Sequence, residues 1–145
     1  IRFRPDVIDL KPAIVIILAG INDIAENTGP MTLEETAGNI FSMAQLAKAA
    51  NIKVIISSVL PANTFPWRPE IKPAEKVIEL NILLKQYCEE NRITYLDYYS
   101  HMVDDKKGLD SRYGDDGVHP NLAGYKVMEG LVENAIKSAL EKNGK

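Results

Sequence analysis

Asp116 and His119, three residues apart in the stretch GDDGVHPN (114–121), have the types and spacing of an acid–base pair. Across so short a turn a carboxylate can accept from one imidazole nitrogen and leave the other free. That fixes the tautomer and stabilises the imidazolium formed when the ring takes a proton. The same spacing also suits a plain turn, in which Asp116 and Gly117 bend the chain, Pro120 starts a helix and His119 is solvated. A metal set of Asp115, Asp116 and His119 lacks a fourth ligand at any familiar spacing, so no metal is expected. A second stretch, AGIND (19–23), offers Gly20 for a tight turn and Asn22 for an amide donor suited to a developing oxyanion. Asn and Asp are equally at home in ordinary turns. In a third, FPWRP (65–69), Trp67 and Arg68 could form a wall and an anionic-group contact on a proline-stiffened loop, or simply pack beneath it. The other histidine, His101, reads as an exposed residue at a helix start, and Tyr98 and Tyr99 as packing.

These stretches need a scaffold, and strand and helix signals alternate along the chain. AIVIILA (13–19) is a continuous, β-branched run between Pro12 and Gly20, as in a strand covered on both faces. Residues 31–51 carry a helical stripe of Leu33, Ala37, Ile40, Ala44 and Ala47, started by a capping box of Thr32 and Glu35 and stopped at Asn51. KVIISSVL (53–60) is a second buried strand. Pro73 fits the first turn of a helix whose Val77, Leu80, Leu84 and Tyr87 or Cys88 face inward. ITYLDY (93–98) is a third strand, and Asn121 can cap a last helix with the stripe Tyr125, Met128, Val132, Ala135 and Ala139. Such alternation implies parallel strands joined by right-handed crossovers, hence an α/β sandwich. Ligands in these folds gather where loops leave the carboxyl ends of the strands. All three chemical stretches fall in such loops.

The bulk properties exclude several classes. The 145 residues make one domain with a real core. Lys and Arg number 17 against 20 Asp and Glu, a net charge of −3 without a basic patch, so no nucleic-acid partner is expected. No apolar run approaches a membrane span. The single cysteine, Cys88, falls in a helix pattern and reads as a buried structural thiol. IRFRPDVIDLKP (1–12) has no signal-peptide anatomy and reads as the tail of a helix begun upstream. A periplasmic or secreted location would require a signal peptide upstream of Ile1.

With AGIND after a buried strand and DGVHPN before the final helix, the sequence resembles the SGNH, or GDSL-type, acyl hydrolases, in particular lysophospholipase-like and carbohydrate-esterase-like members. Gly20, Asn22 and Asp23 match the family's Gly-x-Asn-Asp block, and Asp116 and His119 its Asp-x-x-His block. The resemblance spans essentially the whole chain and implies a three-layer α/β/α, flavodoxin-like fold. It implies that Asn22, beside Gly20, serves the oxyanion hole, that Asp23 braces the loop, that His119 is the general base and acid, and that Asp116 orients it. It also implies a small ester substrate, an acyl lipid or acylated sugar, and no cofactor.

One departure stands out. The family's nucleophilic serine lies in a Gly-Asp-Ser block after its first strand, and a further block supplies an oxyanion-hole glycine. Both precede the Gly-x-Asn-Asp block, and no serine precedes Gly20 here. Ser57 and Ser58 lie in or at the end of a strand, Ser42 and Ser138 on helices, and Ser100 and Ser111 outside any matching block. The chain therefore reads as the C-terminal two-thirds of an SGNH domain, without the first strands and with its nucleophile elsewhere. By itself it is expected to be inactive. The strand at Ala13–Ala19 would have an open edge, to be filled by an N-terminal companion fragment or a swapped copy. Rival readings are half of a split enzyme, a non-catalytic α/β binding module, and an unrelated flavodoxin-like domain, although no Gly-rich phosphate loop favours the last.

Overall fold

The computed structural model describes residues 2–142. Runs of β-branched residues become the strands. β1 (Ile14–Ile17) and β2 (Lys53–Ser57) pair in parallel with Ile14 opposite Lys53 and Ile17 opposite Ile56. β2 pairs in parallel with β3 (Thr94–Leu96), giving a sheet in the order β1-β2-β3. A helical turn α1 (Phe3–Asp6) and a 3-10 turn (Ile8–Leu10) precede the sheet, and a one-turn helix α2 (Ile21–Ile24) follows β1. The crossovers are α3 (Leu33–Ala49) and α4 (Ala74–Asn91). A short α5 (Tyr99–Met102) and the long α6 (Leu122–Glu141) complete the order.

Alternation along β2 assigns the two faces. Val54 and Ile56 enter a core with Ala37, Ile40, Ala44 and Ala47 of α3 and Val77, Leu80 and Leu84 of α4. Ile55 points the other way, into a second core with Leu96 and with Met128, Ala135 and Ala139 of α6. Ile55 and Ile56 are both 0 % exposed, and each such side chain contributes about 1.5–3 kcal/mol by its burial. The result is helices on both sides of a parallel sheet.

Local signals set the helix ends. The Thr32 hydroxyl accepts from the Glu35 amide at 3.1 Å, and the Glu35 carboxylate accepts from the Thr32 amide at 2.8 Å. Asn51 takes the left-handed conformation just past α3, with φ +59°. Pro73 stands immediately before α4, where its missing N–H would have had no intrahelical partner. The Asn121 side chain accepts from the Gly124 amide at 3.0 Å at the start of α6.

Two expectations are corrected. Ile14, Val15 and Ile16 are only half-buried, and Leu18 is exposed, because β1 lies at the sheet edge. Tyr125 is outside the α6 stripe and 58 % exposed. Gly124 takes the inward position at that turn, because a Cβ there would collide with the Tyr113 carbonyl.

A polar residue joins α4 to the sheet. The Asn81 amide accepts from the Val59 N–H at 2.7 Å and donates to the Val59 carbonyl at 3.1 Å, both within the core. It thus pairs with the backbone just after β2 as a neighbouring strand would. Asn81→Leu strands both Val59 groups in the core. At about 1–3 kcal/mol for each buried group left unpaired, the expected loss is about 2–6 kcal/mol in urea unfolding. A loss below 1 kcal/mol would show that Val59 finds other partners.

Candidate active site

Three loops leaving the carboxyl ends of the strands meet around a cleft of about 400 Å³. Asn22 and Asn27 come from the loop after β1, Trp67 from the loop after β2, and His119 from the turn before α6. The rest of the lining is apolar, chiefly Leu18, Ile21, Leu60 and Val118. Among the described residues no serine, threonine or cysteine lines it.

The acid–base turn is built from local bonds. An antiparallel bridge between Gly114 and Pro120 closes it at its base. Gly114 is buried there, and a Cβ on it would lie 2.7 Å from the His119 carbonyl oxygen, so only glycine lets the two strands of the loop approach. Val118 plugs the turn into the α3–α4 core. Asp116 uses both oxygens. Oδ1 accepts from the amides of Val118 at 2.9 Å and His119 at 2.7 Å, and Oδ2 lies 2.6 Å from His119 Nδ1.

The His119 amide, its imidazole and the Val118 amide, in that order, hold the Asp116 carboxyl down at about 2. Asp116 is therefore a carboxylate at neutral pH and must accept from Nδ1, which leaves Nε2 without a protein partner among the described residues. Because the folded value lies below the ordinary 3.8, these bonds stabilise the turn fully above about pH 4, and that contribution is lost as pH falls towards 2. A carboxyl carbon NMR titration should give Asp116 a midpoint near 2. A midpoint at or above 3.8 would contradict the bonding described.

Asn22 sits in the first turn of α2. Gly20 begins that turn with φ +118°, and a Cβ there would lie 2.7 Å from Leu80 Cδ2. Gly20 is buried against Leu80 of α4 and is not among the residues lining the cleft. The Asp23 carbonyl accepts from the Glu26 amide at 3.0 Å, and its carboxylate has no hydrogen-bond partner among the described residues. Trp67 stacks on buried Phe65 at 5.3 Å and faces the His119 ring at 6.0 Å, inclined by 32°. Arg68 lies behind this wall: its Nη1 donates to the carbonyls of Ala25 at 3.2 Å and Glu26 at 3.1 Å. Sequence reasoning missed Asn27, whose Nδ2 donates to Asn22 Oδ1 at 3.1 Å. The signal available was a second asparagine one short turn after the first.

The remaining candidates lie elsewhere. Ser57 and Ser58 are buried; Ser57 donates to the Ile17 carbonyl at 3.4 Å, and Ser58 Oγ accepts from the Tyr99 amide at 2.9 Å. Ser100 and His101 belong to the start of α5, where Ser100 donates to Asp97 at 2.7 Å and His101 Nδ1 lies 3.0 Å from the Asp97 carbonyl. That hydroxyl also lies 3.2 Å from His101 Nδ1, and neither residue lines the cleft. Burial pushes the Cys88 thiol up to about 12, which leaves it inert. Among the described residues no cluster of His, Cys, Asp and Glu could hold a metal ion, and no helix is long and apolar enough to cross a membrane.

Comparison with known proteins bears on this arrangement. A crystal structure of a GDSL-like lipase from Bacteroides thetaiotaomicron is 53 % identical and superposes with a TM-score of 0.92 over 95 % of this chain and 68 % of that one. A related structure from Bacteroides fragilis is 52 % identical, with a TM-score of 0.93 over 96 % and 68 % of the two chains. An acetylxylan esterase from Geobacillus stearothermophilus shares the fold at 20 % identity, with a TM-score of 0.73 over 93 % and 64 %. A search of curated proteins finds no match. The chain thus shares the three-layer fold of these structures and spans about two thirds of their length. The model of the GDSL-like lipase/acylhydrolase family matches residues 1–127, and the chain belongs to that family.

Proposed function

We propose that this chain carries the acid–base pair and one oxyanion donor of a serine carboxylic-ester hydrolase, and that the nucleophilic serine lies outside residues 1–145. His119 on the wall of the cleft, bonded to Asp116 at 2.6 Å, carries this reading. A lining without any hydroxyl or thiol supports placing the nucleophile elsewhere.

In this scheme His119 Nε2 takes the serine proton as Oγ attacks the ester carbonyl. The carbonyl oxygen gains the negative charge and accepts from Asn22 Nδ2. Collapse breaks the bond to the alkoxy oxygen, which leaves as an alcohol with the proton from His119. Water then attacks the acyl-enzyme, giving its proton to His119, and the serine leaves protonated with release of the acid. Asp116 stays ionised throughout and stabilises the imidazolium. Trp67 forms a side wall for substrate. An acyl ester of a lipid or a sugar suits a cleft with apolar walls and few polar groups.

The reading is tested with residues 1–145 alone and with the product of the whole open reading frame. A fluorophosphonate, which labels activated serines, should modify the longer polypeptide and leave the 145-residue chain unlabelled. A companion strand or a second copy should cover the open edge of β1, giving a species larger than one chain by light scattering. Labelling of the 145-residue chain that is abolished by His119→Ala would overturn the placement of the nucleophile.

A further inference from the structure

The proposed oxyanion donor has an ambiguity that its neighbour removes. An asparagine amide presents a donor at one end and an acceptor of nearly the same shape at the other. Turned one way, Asn22 stabilises a developing oxyanion; turned the other, its carbonyl oxygen repels it. Asn22 is exposed, so packing does not select between the two. We infer that Asn27 is a positioning residue that holds Asn22 with its donor towards the reacting carbonyl. This inference rests on the role proposed for Asn22.

Asn27 Nδ2 donates to Asn22 Oδ1 at 3.1 Å, which occupies the acceptor end and leaves Asn22 Nδ2 without a protein partner among the described residues. The Asn27 backbone amide donates to the Asn22 carbonyl, also at 3.1 Å, so Asn27 grips the same residue twice. Its own position is fixed from both sides. Glu26 before it is left-handed at φ +54°, and Gly29 after it, at φ +106°, forms a bridge with Asn27 and donates to the Glu26 carbonyl at 3.1 Å. Arg68 clamps the carbonyls of Ala25 and Glu26 from the opposite loop. The loop carrying Trp67 and the loop carrying Asn22 are thereby tied together beside the cleft. Arg68 thus has a place in the scheme without touching substrate.

Asn27→Asp tests the inference, since it keeps shape while replacing the donor by an acceptor. An aspartate can accept only from Asn22 Nδ2 and would swing the donor away from the cleft. In the full-length enzyme acting on p-nitrophenyl acetate, kcat should fall about 10²-fold with KM nearly unchanged, the scale of loss expected from a misplaced catalytic group. Asn27→Ala, which frees the Asn22 amide to rotate, should lose kcat in the same direction, and serves if the aspartate variant fails to fold. Asn22→Ala alone should cost about 10²–10³-fold in kcat. In that background Asn27→Asp should cost nothing further, because a residue that acts through Asn22 has nothing left to act on. An undiminished loss in the Asn22→Ala background, or no loss in wild type while Asn22→Ala is impaired, would overturn the role of Asn27. An Asn22→Ala enzyme with full kcat would instead overturn the oxyanion assignment beneath it.

Discussion

His119→Ala in the full-length enzyme lowers kcat for a p-nitrophenyl ester by about 10⁶-fold and leaves KM close to its wild-type value. The size follows from the use of one nitrogen at four moments. In the proposed mechanism Nε2 receives the serine proton, returns it to the leaving alcohol, receives the proton of water and returns it to the serine. No neighbour can substitute: among the described residues the cleft wall contains no other imidazole or carboxylate, and His101 is held at α5 by the Asp97 carbonyl. KM changes little because the ring contributes to the reacting geometry more than to the apolar walls that hold substrate. Steady-state kinetics on purified protein, with labelling by a fluorophosphonate as a second readout, should show both losses. Retention of more than a tenth of kcat would remove His119 from the mechanism.

Asp116→Asn is the second large effect, about 10⁴-fold in kcat. The asparagine can keep its carbonyl oxygen where Oδ1 accepts from the amides of Val118 and His119, so the turn itself should survive. Its NH₂ then replaces Oδ2 against the ring. Two donors cannot face each other, so Nδ1 gives up its proton and the ring takes the tautomer with hydrogen on Nε2, the nitrogen that must act as base. The variant should therefore melt near the wild-type temperature while losing activity. Nitrogen NMR of the imidazole should report the exchanged tautomer. Loss of activity with an unchanged tautomer would assign Asp116 to structure alone.

The contact between Asp116 and His119 was legible in the sequence because everything that builds it lies within seven residues, Gly114 to Pro120. The Thr32–Glu35 capping box and the Asn121 cap were legible for the same reason. Tyr125 was misplaced because hydrophobic periodicity counts side chains and gives no weight to glycine. The close approach of Gly124 to Tyr113 rotates α6 and turns the tyrosine outward. Half-burial along β1 depends on which strands flank it, a property of the whole sheet that a run such as AIVIILA cannot express. The two readings of Arg68, substrate contact or packing beneath its loop, stay open in the sequence because its partners, the carbonyls of Ala25 and Glu26, lie across a crossover. Asn81 sat unremarked among apolar neighbours on α4. A polar residue on the buried face of a helix signals a backbone group waiting opposite it.

The antiparallel bridge from Gly114 to Pro120 makes the distance between Asp116 and His119 a matter of chain connectivity, almost independent of the sheet. The distance between His119 and Asn22 has no such guarantor: it is transmitted through β1, β2 and the helices packed upon them. Heating should therefore dissolve the two relationships in sequence, with the oxyanion geometry drifting as the sheet loosens while the dyad stays intact. A nick or circular permutation between the two loops would spare the dyad for the same reason. With the two loops on separate polypeptides, the Asp116–His119 contact is expected to persist and the Asn22–His119 distance to return only where the sheet reassembles.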